Sequence, residues 1–422
     1  CPFVILMSAT MDTNTFSKYF QTNTIFEVVG KSFDIKTNFE KYDVQDYIER
    51  TVTLVKQIHT TNEQDFLINN KINYEGNNDI LIFVSGISAM TKISNKLNEM
   101  NAKLKYPFIV INLTSDIFKN AGNNYKNIYK KLKDIKENNN IPTRRIIIST
   151  NIAETGVTIS SLKYCIDTGF VTSMEFNPNL NCYLLSKKAV TQSMSMQRKG
   201  RVGRIQPGEW YGLYTRETFN KLQIDSYPNI FTEDFTVSML NILDNMIIGN
   251  IMDNKLDNET IKLLPNIDLS KFDMLSSPSI DTVTSSLNKL YILGMIYSNY
   301  YITPLGYISL KLRKLSIECI KMMLSSFIYD DINHLDIVTI ASYITIGKRN
   351  VTEYNFKSWE IKFNYESKNT IDYYNYNKLK NRLYISCEFI EFLLIFRKFT
   401  TMLENNNIEI VKEWCKDNKI IF

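Results

Sequence analysis

Apolar residues fall into short unbroken runs in the first half of this chain and into helical periods in the second. Asp79-Ile80-Leu81-Ile82-Phe83-Val84 and Arg145-Ile146-Ile147-Ile148 read as strands buried on both faces, because a sheet covered on each side removes the need for polar alternation. Phe3-Val4-Ile5-Leu6-Met7 has the same character, and Phe108–Ile111, Lys163–Ile166 and Trp210–Tyr214 are further strands. Between them, Thr13–Phe20, Val44–His59, Ala89–Met100 and Tyr125–Ile135 follow the helical period. Ile25–Val29 is strand-like, and the polar, Asn-rich stretch Thr60–Asn78 reads as a loop. Strands alternating with helices predict an α/β lobe built on a parallel sheet, with ligands at the carboxyl ends of the strands.

Beyond Arg216 the alternation stops, and helical periods dominate from Phe235 onward. Ser276-Ser277-Pro278-Ser279 breaks the chain. A helix over Leu287–Gly294 then leads into two short strand-like runs, Met295–Tyr297 and Tyr301–Thr303, the outline of a winged helix. Lys314–Phe422 reads as a helical tail whose Met322, Met323, Phe389, Phe392 and Phe396 are core positions.

Composition narrows the chemistry. At 422 residues and 44% apolar, the chain has length and material for several cores. No run reaches the ~18 apolar residues of a membrane span. The six cysteines show neither metal-ligand spacing nor a disulfide framework, which fits a reducing compartment. With only two histidines, His59 and His334, a histidine metal cage or a Ser-His-Asp triad is not expected. The net charge of +5 is small but unevenly placed. No Asp or Glu occurs from Phe176 to Gly208, where Lys187, Lys188, Arg198, Lys199, Arg201 and Arg204 all fall, a local footprint for a polyanion. The chain opens on a strand pattern without an initiator Met or signal peptide, which predicts that it belongs to something longer.

The densest chemistry is Gln197-Arg198-Lys199-Gly200-Arg201-Val202-Gly203-Arg204. On a helix Gln197, Arg201 and Arg204 would share one face. The glycines leave room for close approach of a ligand or backbone. Two guanidiniums aimed at one point suit the charge on a transferring phosphoryl group; a solvated basic helix is the bland alternative. Upstream, Ser149-Thr150-Asn151-Ile152-Ala153-Glu154-Thr155-Gly156-Val157-Thr158-Ile159 places hydroxyls and an amide at the end of a buried strand. Ser8-Ala9-Thr10 and Ser85-Gly86 close two other strands.

In this order, the four pieces resemble motifs III, IV, V and VI of the DEAH/RHA group of superfamily 2 helicases. Ser8–Thr10 matches motif III, the Leu81 strand motif IV, Ser149–Ile159 motif V and Gln197–Arg204 motif VI. Within the group, Lys199, Val202 and an AT-rich composition look like the poxviral nucleoside triphosphate phosphohydrolase II branch. The resemblance implies a RecA-like lobe followed by winged-helix and helical-bundle domains. It divides the chain into residues 1–30 (end of a first RecA-like lobe), 31–218 (second lobe), 219–313 (winged-helix region) and 314–422 (helical bundle). Gln197 would position the attacking water, Arg201 and Arg204 would contact the γ-phosphate, and Tyr129 would stack on adenine. Ser85, Gly86, Thr150 and Asn151 would hold RNA, and Ser8 and Thr10 would couple nucleotide state to movement. Gly156 stands where the family has serine, which leaves that hydroxyl contact in doubt. Between motifs V and VI the resemblance implies a β-hairpin at the duplex junction, here Thr172–Leu185 turning at Asn177-Pro178-Asn179, with a plain surface hairpin as the alternative. The family's terminal oligonucleotide-binding fold is not recognisable in the last seventy or so residues.

No DExH tetrad occurs in the sequence, and Gly30-Lys31-Ser32 lacks the glycine that a phosphate loop needs at Ile25. The expectation is therefore a chain that supplies the arginine fingers while ATP (or another NTP) and Mg²⁺ are held mainly by an upstream lobe. Alone, it should hydrolyse ATP negligibly. The implied function is 3′-to-5′ unwinding of an RNA duplex with a single-stranded 3′ overhang, in viral transcription, by a monomer with no membrane contact, located in the cytoplasm or in a virion. DNA is the alternative partner. The rival readings are a non-catalytic nucleic-acid-binding relative, a cellular DEAH-box RNA helicase of splicing or ribosome biogenesis, and an interaction scaffold.

Overall fold

Two of the unbroken apolar runs, Asp79–Val84 and Arg145–Ile148, assemble as predicted inside one parallel sheet. A computed structural model of the protein describes residues 4–8, 13–28, 33–61, 78–104, 107–114, 144–154, 159, 161–252, 274–329, 332–347, 351 and 388–422. The chain divides into two compact units, Cys1–Glu233 with Asp273–Pro278, and Asp234–Phe272 with Ser279–Phe422.

In the first unit the elements are α1 (Thr13–Phe20), β1 (Ile35–Glu40), α2 (Tyr47–Thr61), β2 (Asp79–Phe83), α3 (Ile87–Asn101), β3 (Ile109–Leu113), β4 (Arg145–Ser149), a 3₁₀ turn (Asn151–Glu154), β5 (Leu162–Asp167), β6 (Phe170–Asn177), β7 (Cys182–Ala189), α4 (Gln192–Lys199), β8 (Gly208–Thr215) and α5 (Arg216–Lys221). Six strands run parallel in the order β1-β8-β5-β2-β4-β3. The two-residue period sends Ile80, Ile82, Ile146 and Ile148 to one face, where Leu54, Val55 and Ile58 of α2 and Met90, Ile93 and Leu97 of α3 cover them. Leu81, Phe83, Ile147 and Cys165 point to the other face and pack with Val202, Trp210 and Tyr214. At the amino ends of the strands, Asp79 is locked by Arg145, whose Nε and Nη2 donate to it at 2.8 and 2.6 Å, and by Ser161.

Two expectations fail. Residues 4–8 and 25–28 pair with no strand of this sheet and lie exposed, with Ile5 80%, Met7 88% and Phe26 88% accessible. An apolar run becomes a buried strand only where a sheet edge accepts it, and the edges of the described sheet are β1 and β3. Strand β1 itself was not legible as a strand. The predicted helix Tyr125–Ile135 and most of the predicted loop Thr60–Asn78 lie outside the described residues.

The hairpin between motifs V and VI is present. Strands β6 and β7 pair antiparallel with Asn177 opposite Cys182, and Asn177 Oδ1 accepts from the backbone N–H groups of Asn179 and Leu180 at 3.0 and 3.1 Å. Such an Asx turn replaces backbone bonds that the tight connection cannot make.

The second unit is helical among its described residues: α6 (Thr236–Met252), α7 (Ile280–Ile292), α8 (Pro304–Lys311), α9 (Ile317–Ser326), α10 (His334–Ile346), α11 (Glu388–Asn405) and α12 (Ile408–Asp417). Ser279, Thr303 and Ser316 each start a helix by accepting from the N–H three residues on. The winged-helix outline narrows to α7, one antiparallel bridge between Ile296 and Ile302, and α8. Lys289 of α7 joins Asp234 at 2.8 Å to Glu318 of α9 at 2.6 Å.

Candidate functional site

The sheet register brings strand ends level with one another. Phe83 stands opposite Ser149 on one side and Asp167 on the other, and Asp167 stands opposite Gly212. Ser85 and Gly86 after β2, and Thr150 and Asn151 after β4, therefore emerge side by side from neighbouring strands. Ser85 is buried, Thr150 half-buried and Asn151 exposed. Gly86, in extended backbone, precedes the first residue of α3. Ser8 is exposed and outside any strand. Thr10, Tyr129, Thr155, Gly156, Thr158 and the Gly30–Ser32 stretch lie outside the described residues.

The arginine motif departs from a single helical face. Thr191 caps α4 by accepting from Met194 N–H at 3.1 Å, and the helix stops at Lys199. Tighter bonds follow, from Arg201 N–H to Arg198 O at 3.1 Å and from Val202 N–H to Lys199 O at 3.3 Å. Val202 is drawn into the core, and Gly203 turns away at φ 75°. Gln197 thus lies on α4, while Arg201 and Arg204 lie on the turn after it. Arg201 Nε donates to Gln197 O at 3.4 Å and Arg204 Nε to Gly200 O at 3.1 Å, so the three remain neighbours. Arg201 is half-buried and Arg204 exposed. Burial lowers the Arg201 pKa, the charge of Arg204 lowers it further, and Glu154 and Cys165 oppose both. Among the described residues Arg201 forms no ion pair. Two cations that raise each other's cost are relieved when an anion settles between them.

Arg198 is the residue that sequence reasoning placed wrongly. It is not part of the surface footprint but fully buried, with Nε on Glu154 at 2.6 Å, Nη1 on Asp167 at 2.7 Å, and the guanidinium over the Phe83 ring at 4.9 Å. Burial opposes its charge, and the carboxylates of Asp167 and Glu154 more than reverse this, raising its pKa. Burial in turn pushes Glu154 up, with Arg198 pulling the other way. Asp167 also accepts from Tyr214 Oη at 3.0 Å, and Tyr214 Oη lies 2.6 Å from Ser195 Oγ. Burial and Asp167 hold the Tyr214 phenol well above its ordinary pKa. The available signal was a pair of carboxylates, Glu154 and Asp167, at the ends of buried strands. Of the other footprint cations, Lys188 pairs with Glu175, and Lys187 sits over the rings of Tyr47 and Phe170.

A family profile described as the helicase conserved C-terminal domain matches residues 62–206, which contain most of this sheet and the whole arginine turn. The African swine fever virus protein B962L (isolate Pig/Kenya/KEN-50/1950), which carries the name RNA helicase, is 32% identical over 367 residues, covering 83% of this chain and 36% of its own length. The chain carries a helicase conserved C-terminal domain and is similar to RNA helicases. The mouse ATP-dependent RNA helicase DHX33 is 27% identical over 317 residues, covering 72% of this helicase chain and 38% of its own. The crystal structure of the DEAH/RHA helicase HrpB from Escherichia coli superposes with a TM-score of 0.60 at 17% identity, over 81% of this chain and 38% of that one. At that identity the likeness speaks for the RecA-like fold. This helicase chain spans a little over a third of the length of these relatives, 36% and 38%, and corresponds to a C-terminal portion.

Proposed function

We propose that this chain provides the second RecA-like lobe and the following helical domains of an ATP-dependent RNA helicase that unwinds duplexes from a 3′ single strand. The observation that carries the reading is the pair Arg201 and Arg204 on a glycine-bounded turn. The helix that leads into this turn is tied to the 3₁₀ turn that starts at Asn151 by the buried bond from Arg198 to Glu154. Terminal phosphates of a nucleotide fit that pair, since guanidiniums bind phosphate oxygens through forked, charge-assisted bonds. ATP supplies a phosphoryl group whose transfer to water drives the cycle. Gln197 would orient the water, while Arg201 and Arg204 would hold charge at the γ-phosphate. Thr150 and Asn151, with Ser85 and Gly86, would hold the RNA backbone through hydroxyl, amide and main-chain groups, contacts that position without reading sequence. Among the described residues there is no His, Cys, Asp or Glu group fit for a metal; we assign the Mg²⁺ ligands and the phosphate cradle to an upstream lobe. A viral role is supported by the likeness to the African swine fever virus protein.

The test is Arg204→Ala in the full-length protein. Loss of an arginine finger should lower kcat by about 10³-fold or more, with RNA affinity retained. An equal loss of RNA binding would mean that Arg204 holds nucleic acid instead.

A further inference from the structure

The role of Arg198 extends beyond the reading above, on which it rests. Its side chain and its main chain face different parts of the site. The Nε atom bonds Glu154, the last residue of the 3₁₀ turn that begins at the RNA-facing Asn151. The Nη1 atom bonds Asp167 at the end of β5, which Tyr214 and the Gly169 N–H hold in place. Its carbonyl accepts from the Arg201 N–H at 3.1 Å and from Cys165 Sγ at 3.3 Å. One residue therefore touches the turn that would carry RNA, the rigid sheet, and the backbone of the arginine that would meet phosphate.

Stability alone is a poor reason for such an arrangement. A buried ion pair commonly contributes no more than well-packed apolar side chains of the same volume would. Glu154 also lies close enough to Arg201 for each charge to act on the other. A shift of the 3₁₀ turn would thus be felt at Arg201 both through bonds and through charge.

We propose that Arg198 is a positioning residue that transmits RNA engagement at Thr150 and Asn151 to Arg201, so that nucleotide turnover responds to bound RNA. Glu154 is the moving contact and Asp167 the fixed one.

Two variants of the full-length protein test this. Glu154→Gln keeps the shape and an acceptor oxygen but removes the charge; Arg198→Lys keeps the charge but removes the fork. For each, kcat and KM for ATP are measured with and without a single-stranded RNA oligonucleotide, with RNA Kd and thermal midpoint alongside. The ratio of RNA-stimulated to unstimulated kcat should fall by about 5- to 150-fold, the usual span of coupling between sites, while KM for ATP and RNA Kd hold. The double variant should lose no more than the worse single one, because both act on one link. A fall of both rates by one factor, in step with a lowered thermal midpoint, would make Arg198 a purely structural residue and overturn the proposal. Should Arg198→Lys fail to fold, Glu154→Gln decides alone. If the unaltered protein shows no RNA-stimulated hydrolysis, the helicase reading falls and this inference with it. If Arg204→Ala abolishes hydrolysis while both variants keep the full ratio, only this inference falls.

Discussion

Two glycines three positions apart in the arginine motif should respond in opposite directions to the same substitution. A Cβ on Gly203 would stand 2.5 Å from Cγ1 of Ile35 and 2.9 Å from the carbonyl oxygen of Phe33, in a backbone with φ at 75°. The left-handed conformation costs an L-residue about 1–2 kcal/mol. Forcing a methyl into the packed site costs about 1–3 kcal/mol more. The Ile35 side chain can yield, but Phe33 is held by its own N–H bond to Gly203 O at 2.8 Å. Less freedom in the unfolded chain returns about 0.4–1 kcal/mol. Gly203→Ala should therefore destabilise the chain by about 2–4 kcal/mol. Gly200 has φ −67°, and a Cβ there meets nothing closer than 3.5 Å. Gly200→Ala should be neutral or stabilising by up to about 1 kcal/mol. Urea unfolding followed by far-ultraviolet circular dichroism separates the two. Equal destabilisation by both, or a neutral Gly203→Ala, would refute the assignment of Gly203 to the fold. With its stability effect neutral, the exposed Gly200 matters for ligand approach alone, and Gly200→Ala in the full-length protein should impair ATP turnover with stability intact.

At the amino ends of the strands, Arg145→Met should cost about 3–5 kcal/mol by leaving Asp79 charged and buried; pairing it with Asp79→Leu should recover most of this in the same urea titration. Lys289→Met should destabilise by about 1–3 kcal/mol, between the values for exposed and buried pairs. The pH response follows from the same contacts. Burial would raise Asp234 and Glu318, but bonds from Lys289 and neighbouring groups leave both below their ordinary values of 3.8 and 4.5. Their stabilisation is present above those values and is lost as pH falls through the lower folded ones. Thermal midpoints followed down to about pH 3 should show a drop that Lys289→Met makes shallower.

How far the sequence disclosed this structure depended on how each residue's environment is specified. Strands β2 and β4 were legible because burial on both faces leaves an unbroken apolar run. Strand β1, Ile-Lys-Thr-Asn-Phe-Glu, is an edge strand with only Ile35 and Phe39 to pack, so its pattern resembles a polar loop. Residues 4–7 showed the opposite error: their apolar run carries no information about whether a sheet edge is available. The arginine motif was legible as chemistry but not as shape, because Val202 entering the core and Gly203 turning left-handed are tertiary events. Arg198 was unreadable as a buried residue among three other cations. Only Glu154 and Asp167, distant in sequence, decide its place.

The sheet order also sets a timetable for synthesis. Among the described residues strand β1 pairs only with β8, and the bond from Asn38 Nδ2 to the Trp210 carbonyl spans 172 positions. At ribosomal rates of about 5–20 residues per second, β1 waits roughly 9–35 seconds for its neighbour to be made. Throughout that interval its hydrogen-bonding edge lacks the partner it has in the described sheet, which is incomplete until residue 215 has left the ribosome. A nascent chain of this kind depends on co-translational chaperone cover more than a protein whose sheet grows in order from its first strand.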